Sequence, residues 1–250
     1  YLDVLNLMIG SQRALHFDEQ QRFTTRVHEA LRFLDDICLP DGDIPLFNDA
    51  ALGIAPPPGD ILTYGNRIMT YKRRSFSAGL TTSEKSQTGY YVIRDASDMM
   101  VIDCGPVGPD YQPGHAHADT LSFELAVNGR RIIVDSGVYD YEPGRRRTYA
   151  RSTRAHNTLC IDQQDQSETW GVFRVARRAY PIYGRITGDR EVRATFEGAH
   201  DGYARLSGRL THSRVIEYVS PGEWTVRDTV NGEGIHTIES LLHVHPDYRL

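Results

Sequence analysis

Residues 121–135 read LSFELAVNGRRIIVD and carry the clearest structural pattern in the chain. Apolar residues at positions 121, 123, 125 and 127 alternate with polar or small ones, as in a strand with one buried face. Asn128-Gly129 favours a tight two-residue turn, because both residues accept positive φ angles. The chain then returns through three apolar residues to Asp135. The pattern predicts a β-hairpin with Asp135 opposite Ser122.

Further short runs on both sides of this hairpin are rich in β-branched and aromatic residues and are bounded by Gly, Pro, Asn and Asp. They cover residues 90–94, 99–103, 158–162, 209–219 and 224–230. Helical periodicity is nearly absent from about residue 68 onward. Many short strands with turn signals between them are typical of an antiparallel β-sandwich.

Residues 1–39 have a helical pattern instead, with apolar residues recurring at three- and four-residue spacing. A polar stretch at residues 16–21 divides them into two helices, and Pro40-Asp41-Gly42 ends the second. Residues 41–66 are rich in proline and glycine and are predicted to be a loop and linker. Within it, a linker turn explains the polar pair Asn48-Asp49 more readily than a binding role does.

The predicted fold class is therefore α+β and multidomain. Two helices cannot bury both of their faces alone, and the chain opens inside one of them, so we expect a fragment of a larger protein. Residues 1–62 are assigned to the end of a helical domain with its linker. Residues 63–250 are assigned to an incomplete β-sandwich domain.

Composition excludes several classes of protein. The formal net charge of −5 gives no global attraction to nucleic acid. No apolar run approaches the roughly 20 residues of a membrane-spanning helix, and no signal peptide is visible. The three cysteines, Cys38, Cys104 and Cys160, are far apart and odd in number. They predict buried thiols rather than a disulfide framework or a metal clamp.

The strongest chemical signal is the HAHAD motif at residues 115–119. Two histidines at positions i and i+2 point the same way on an extended chain, and imidazole with carboxylate is a common zinc ligand set. The hairpin brings Asp135 to the same end as His117, and His156 begins a later strand. With strict strand pairing, the side chains of His117 and Asp135 would point to opposite faces of the hairpin. A bulge or bend between residues 119 and 122 is therefore needed for both side chains to reach one metal ion. A cupin-type site fits poorly, because the first Glu after the motif is Glu124.

A second signal is a local concentration of arginines in an acidic chain. Guanidinium groups bind carboxylate and sulfate in bidentate fashion, although a solvated loop paired with nearby acids is an equal alternative. Aromatic residues lie among them; they suit sugar stacking but also fill β cores. The arginines are Arg145, Arg146, Arg147, Arg151 and Arg154, and the aromatics are Tyr139, Tyr141, Tyr149 and Trp170.

These blocks together resemble the heparinase II/III-like polysaccharide lyases. The matching segments are GHAHAD at 114–119, LSFEL at 121–125, IVDSG at 133–137, RSTRAHNT at 151–158 and DQSE at 165–168. The PDGD and FNDA loops at 40–43 and 47–50 resemble the join between the two domains of that family. The resemblance implies the end of an N-terminal α/α toroid followed by a β-sandwich, with the active site between them.

The resemblance also implies functions for particular residues. It implies a zinc site of His117, Asp135 and His156, in a structural or organising role, with His115 as a catalytic histidine facing the substrate. Tyr1 sits where the catalytic tyrosine of the family would fall, although Leu2 replaces the histidine that often follows it. Substrate contacts are expected from Tyr149, Arg151 and Asn48.

The implied activity is cleavage of an acidic polysaccharide, such as heparan sulfate, alginate or an exopolysaccharide, by β-elimination. The partner is then an acidic polysaccharide or oligosaccharide, with a homodimer left open, and the expected location is the bacterial periplasm or outside the cell. Two alternatives remain at this point. One is a non-catalytic, metal-stabilised protein for glycan binding or exopolysaccharide biosynthesis, and the other is a hydrolase that uses a metal-bound water.

Overall fold

The computed structural model describes residues 2–10, 17–69, 71–73, 79–85, 87–189 and 192–248. Its helices are α1 (Leu2–Gly10), α2 (Phe17–Ile37), α3 (Pro58–Met69) and α4 (Arg145–Ala150), with a 3₁₀ turn at Thr153–Ala155. Its strands are β1 (Thr81–Lys85), β2 (Tyr90–Asp95), β3 (Asp98–Asp103), β4 (Phe123–Val127), β5 (Arg130–Ile133), β6 (Leu159–Ile161), β7 (Thr169–Trp170), β8 (Arg174–Val175), β9 (Pro181–Gly188), β10 (Arg193–His200), β11 (Thr211–Val219), β12 (Glu223–Asn231) and β13 (Ile238–Ser240).

Two antiparallel sheets form the predicted β-sandwich. One sheet has the order β1-β2-β3-β4-β5 and the other the order β12-β11-β10-β9. The core between them takes Ile93 and Phe123 from the first sheet and Phe196 and Ile216 from the second, and all four are buried. Two short pairs, β13-β6 and β7-β8, lie outside these sheets. The sandwich expected from the sequence is confirmed.

The central strands of the five-stranded sheet, β2 and β3, are buried on both faces of the sheet. Its outer face carries Val92, Met99 and Val101, which pack against Leu39 and Phe47 from the segment that follows α2. This packing explains why β3 is buried along its whole length instead of alternating. The linker is therefore fixed against the sandwich, and it can hold side chains there in defined positions.

The N-terminal helices form a separate apolar cluster. Val27 and Leu31 of α2 pack against Leu5 of α1 and Leu62 of α3. The two helices expected in residues 1–39 are present, with α2 beginning at Phe17 inside the polar stretch that was expected to separate them. Among the described residues, no helix is both long enough and apolar enough to cross a membrane.

The prediction that residues 41–66 are entirely loop is wrong, because α3 begins at Pro58. Proline is well suited to the first turn of a helix, where its missing N–H is not needed. Gly65 lies inside α3 because a Cβ there would come within 2.6 Å of Leu31 Cδ1. Pro58 and Gly65 belong to the residue types that indicated a loop. In the structure, Pro58 begins α3, and Gly65 lets α3 pack closely against Leu31 of α2. The predicted domain boundary at residues 62 and 63 falls within α3.

The 121–135 hairpin forms with the expected turn but with one irregularity. Val127 pairs with Arg130 and Ala126 with Arg131, as a two-residue turn requires. The register then shifts, so that Leu125 pairs with Ile133. Leu121 has a positive φ of 68° in the stretch where a bend was expected. Despite the shift, Ser122 Oγ still lies 3.3 Å from Asp135 Oδ2.

Candidate active site

The histidine motif lies in the loop between β3 and β4, where the linker holds it in place. Asn48 accepts a hydrogen bond from the His117 backbone N–H through Oδ1 at 3.0 Å, and its own N–H donates to Asp119 Oδ2 at 3.2 Å. Asn48 has a φ of 56°, which asparagine tolerates better than most residues. The side chain predicted to bind substrate is therefore used, in this structure, to anchor the histidine loop.

Three buried side chains offer a metal-binding group. One ligand atom from each of His117, Asp119 and His156 lies within 4.8 Å of the others. His117 Nδ1 and His156 Nε2 are buried and have no hydrogen-bond partner within the described part of the chain. Burial lowers the pKa of His117, which favours the neutral imidazole that binds metals. Two orphaned imidazole nitrogens beside a carboxylate fit a zinc-like cation.

Asp135 lies on the far side of His156 from that group. Its Oδ2 is 2.8 Å from His156 Nδ1, and its Oδ1 accepts a hydrogen bond from the Gly137 N–H at 3.2 Å. Burial alone would lower the pKa of His156, but the Asp135 carboxylate raises it to about 9. The structure thus places Asp119, not Asp135, with the two histidines. Direct metal ligation by Asp135 stays a prediction, and its observed contact orients the His156 ring.

Asp49 contacts both histidines of the motif, which sequence reasoning missed. Its Oδ2 is 2.9 Å from His115 Nδ1, and its Oδ1 is 2.8 Å from His117 Nε2. Arg147 forms an ion pair with both carboxylate oxygens. Burial opposes ionisation of Asp49, yet the hydrogen bonds from His117 and Arg147 hold its pKa below the usual range. The sequence favoured a linker turn over a binding role for Asn48-Asp49. In the structure, both side chains of this pair contact the histidine motif.

His115 is the exposed member of the site. Its side chain is 60% exposed, whereas that of His117 is fully buried. The rings of Tyr141 and Phe173 each lie with their centroids 5.8 Å from that of His115. A pocket of about 230 Å³ adjoins it, and Asn48 lines this pocket together with His115. One imidazole of the HxH pair therefore faces solvent between aromatic rings, and the other faces the buried cluster.

The remaining predicted site residues have different positions. Arg151 is 1% exposed, and its guanidinium donates to Ala116 O and Gly171 O, so it supports the histidine loop and does not face the solvent as a substrate contact would. Tyr149 is 49% exposed, and its hydroxyl lies 3.4 Å from His243 Nε2, an accessible position that suits its predicted role. Tyr1 lies outside the described residues.

The fold and the site together define a β-sandwich protein with a buried His/Asp cluster and one exposed histidine at its edge. The sequence profile of the family described as heparinase II/III-like, C-terminal, matches residues 81–250. The chain therefore belongs to the heparinase II/III-like family. This confirms the resemblance inferred from the motif blocks.

Individual relatives agree with this assignment. The chain is 25% identical over 187 residues to a heparin-sulfate lyase of Pedobacter heparinus, an alignment that covers 66% of this chain and 27% of that protein. It is 25% identical over 175 residues to a heparin-sulfate lyase of Bacteroides stercoris, covering 62% and 25% of the two. The chain thus spans about a quarter of the length of these curated relatives.

Solved structures show the same fold. A mutant heparan sulfate lyase of Pedobacter heparinus superposes with a TM-score of 0.71 at 22% identity, covering 98% of this chain and 39% of the other. A heparinase III superposes with a TM-score of 0.64 at 20% identity, covering 87% and 34%. The sandwich and the helices before it are therefore an arrangement that this chain shares with known lyases.

Proposed function

We propose that the protein is a polysaccharide lyase that cleaves a uronic-acid polysaccharide by β-elimination, with heparan sulfate as the first substrate to test. The observation that carries this proposal is His115, an exposed imidazole with Nδ1 held by Asp49 and Nε2 left for a substrate. Family membership and two relatives named heparin-sulfate lyase support it. Alginate and exopolysaccharides remain substrates of the same chemical class.

The reaction needs a base beside the uronate ring. The base takes the proton from C5, the electrons of the C5–H bond form the C4–C5 double bond, and the C4–O bond breaks. The departing oxygen then receives a proton from an acid. Imidazole can serve as the base or as the acid near neutral pH, and we assign one of these two roles to His115 Nε2. Tyr1 is proposed as the second acid–base group, from the resemblance alone.

Binding of the polymer is assigned to the exposed face around His115. Tyr141 and Phe173 pack together beside the imidazole and are 45% and 47% exposed, so they offer aromatic surface to a sugar. Arg146 stacks on Tyr139 with its guanidinium carbon 4.3 Å from the ring centroid, and Arg174 stacks similarly on Trp170 at 4.6 Å. Aromatic surface with guanidinium groups suits a sugar chain that carries carboxylate or sulfate.

A divalent metal, with zinc as the first to test, is proposed at the buried cluster. His117 and His156 would hold it, with Asp119 as the carboxylate that lies beside both and Asp135 as the carboxylate implied by the family resemblance. When bound, the ion would neutralise the buried acids and fix the loop that presents His115. Export to the periplasm or outside the cell is proposed from the resemblance, because such polymers are extracellular.

The test is an assay of the whole protein on a panel of uronic-acid polysaccharides, followed by the ultraviolet absorbance of the unsaturated uronate. Growth of this absorbance on heparan sulfate is the expected result. Saturated products would identify a hydrolase instead. Binding without cleavage would identify the non-catalytic, glycan-binding alternative.

A further inference from the structure

One carboxylate, Asp49, joins the linker to both histidines of the HAHAD loop. Its side chain is only 5% exposed, and each of its oxygens contacts one imidazole. Arg147 lies against the same two oxygens, with Nη2 2.9 Å from Oδ2, and is itself 2% exposed. Arg147 also donates to Val172 O from Nε and Nη2, so its guanidinium cannot turn away without losing further bonds.

This arrangement decides which ring nitrogens carry protons. A carboxylate in a bidentate pair with a buried arginine is ionised, and an ionised carboxylate can only accept hydrogen bonds. His115 must then donate from Nδ1, and His117 must donate from Nε2. In the neutral form of each ring, the lone pair is then on His115 Nε2 and on His117 Nδ1. The second of these is a buried nitrogen with no hydrogen-bond partner among the described residues, and a lone pair there is what the proposed metal would need.

We propose that Asp49 is the positioning residue of this site, and that its two oxygens fix the tautomers and ring orientations of His115 and His117 at the same time. One oxygen keeps His115 Nε2 available for proton transfer. The other keeps His117 Nδ1 available for the metal. The effect on turnover rests on the proposed lyase function, whereas the effect on the tautomers does not.

The substitution Asp49→Asn separates positioning from packing. An amide has the same shape as the carboxylate, but it offers one acceptor oxygen and one NH₂ donor. Whichever histidine faces the NH₂ group must accept from it, which moves the ring proton to the other nitrogen. The matched control is Asp41→Asn. Asp41 comes from the same linker and pairs with Arg131 of the sandwich, with Oδ2 2.6 Å from Nε, but it contacts neither histidine.

The experiment is nitrogen NMR of the whole, metal-loaded protein carrying ¹⁵N-histidine, because ring nitrogen shifts and two-bond couplings distinguish the tautomers. The His115 signals are assigned by their loss in His115→Gln. In the unmodified protein we expect the His115 proton on Nδ1. In Asp49→Asn we expect His115, His117 or both to change tautomer, while Asp41→Asn leaves both unchanged. A proton on His115 Nε2 in the unmodified protein overturns the proposal whether or not the variants fold.

Kinetics give the second readout. Asp49→Asn should lower kcat by about 100-fold or more, as loss of a group that orients a catalytic imidazole does, with KM changed by no more than about threefold. Asp41→Asn should keep both values within about twofold. Equal kinetics for Asp49→Asn and the unmodified enzyme would contradict the proposal. If the unmodified protein shows the expected tautomers but no lyase activity, the positioning role stands and the proposed function fails.

Discussion

Replacing Arg214 with methionine is expected to lower the free energy of unfolding by about 4 kcal/mol, because Arg214 is the buried half of an ion pair. Arg214 lies on β11 and is 1% exposed. Its Nε and Nη2 donate to the two oxygens of Asp228 at 2.7 and 2.9 Å. Its Nη1 donates to Leu121 O and Asn157 O, both at 2.6 Å. One side chain thus ties the four-stranded sheet to the loops that carry Asp119 and His156.

The magnitude follows from the groups that the substitution leaves unpaired. Removing one partner of a buried ion pair costs about 3–5 kcal/mol, and an unsatisfied buried carbonyl adds about 1–3 kcal/mol where water cannot reach it. Asp228 is 16% exposed on its side chain and keeps its bond to His212, which favours the lower part of this range. For a domain of this size, about 4 kcal/mol corresponds to a fall of about 8–16 °C in Tm.

Arg185→Met is the matched control for this prediction. Arg185 lies on β9 of the same sheet and pairs with Glu197 across strands, but it is 67% exposed on its side chain. A surface pair of this kind contributes about 0–1 kcal/mol, so its loss should shift Tm by a few degrees at most. Calorimetry of the whole protein measures both variants. Equal Tm values for Arg214→Met and Arg185→Met would show that the buried ion pair contributes no more to stability than the surface pair, contrary to this prediction.

Three further outcomes are expected. His115→Gln should lower kcat by about 10²–10⁴-fold with its metal content unchanged, whereas His236→Gln, measured beside it in the same assay, should keep full activity. Removal of the metal by a chelator should lower Tm by several degrees, because a metal at about 100 times its Kd contributes about 2.7 kcal/mol to stability. In a variant that lacks both His117 and His156, the chelator should leave Tm unchanged. Burial and neighbouring charges hold the pKa of His200 well below its usual value, so the unfolded chain binds a proton that the folded chain does not. The contribution of His200 to stability should therefore be complete above about pH 6.5 and be lost as the pH drops below it. The Tm of the unmodified protein relative to that of His200→Gln should fall on acidification, and a rise in this difference would contradict the sign.

Local patterns were sufficient to predict most of the sandwich. Alternation and the Asn128-Gly129 turn predicted β4 and β5 because a hairpin is specified by residues near one another in sequence. Strand β10 was missed, since Gly198 and Ala199 near its end weaken the β signal. Helix α3 was missed because proline and glycine usually indicate loops. Here they are used for helix initiation and for close packing on α2, and that packing depends on tertiary contacts.

The candidate site was only partly predictable for the same reason. His115, His117 and His156 stand out as residue types at informative spacing, and the structure places His117 and His156 together. Asp49 precedes His115 by 66 residues and lies in a linker, so no local pattern connects the two. The signal that was available was a polar Asn-Asp pair within an apolar loop. Arg151 was grouped with the other arginines as a possible substrate contact, but its guanidinium is buried and donates to backbone carbonyl oxygens. The sequence does not show that these carbonyl groups lie near Arg151.

Under the proposed function, this site removes a proton from a uronate and creates a double bond. The most direct test is the ultraviolet absorbance of unsaturated uronate when the whole protein acts on heparan sulfate, run beside His115→Gln. We predict growth of absorbance for the unmodified protein and its near loss in the variant. Chain cleavage that yields only saturated ends, or equal absorbance growth in both proteins, would contradict it.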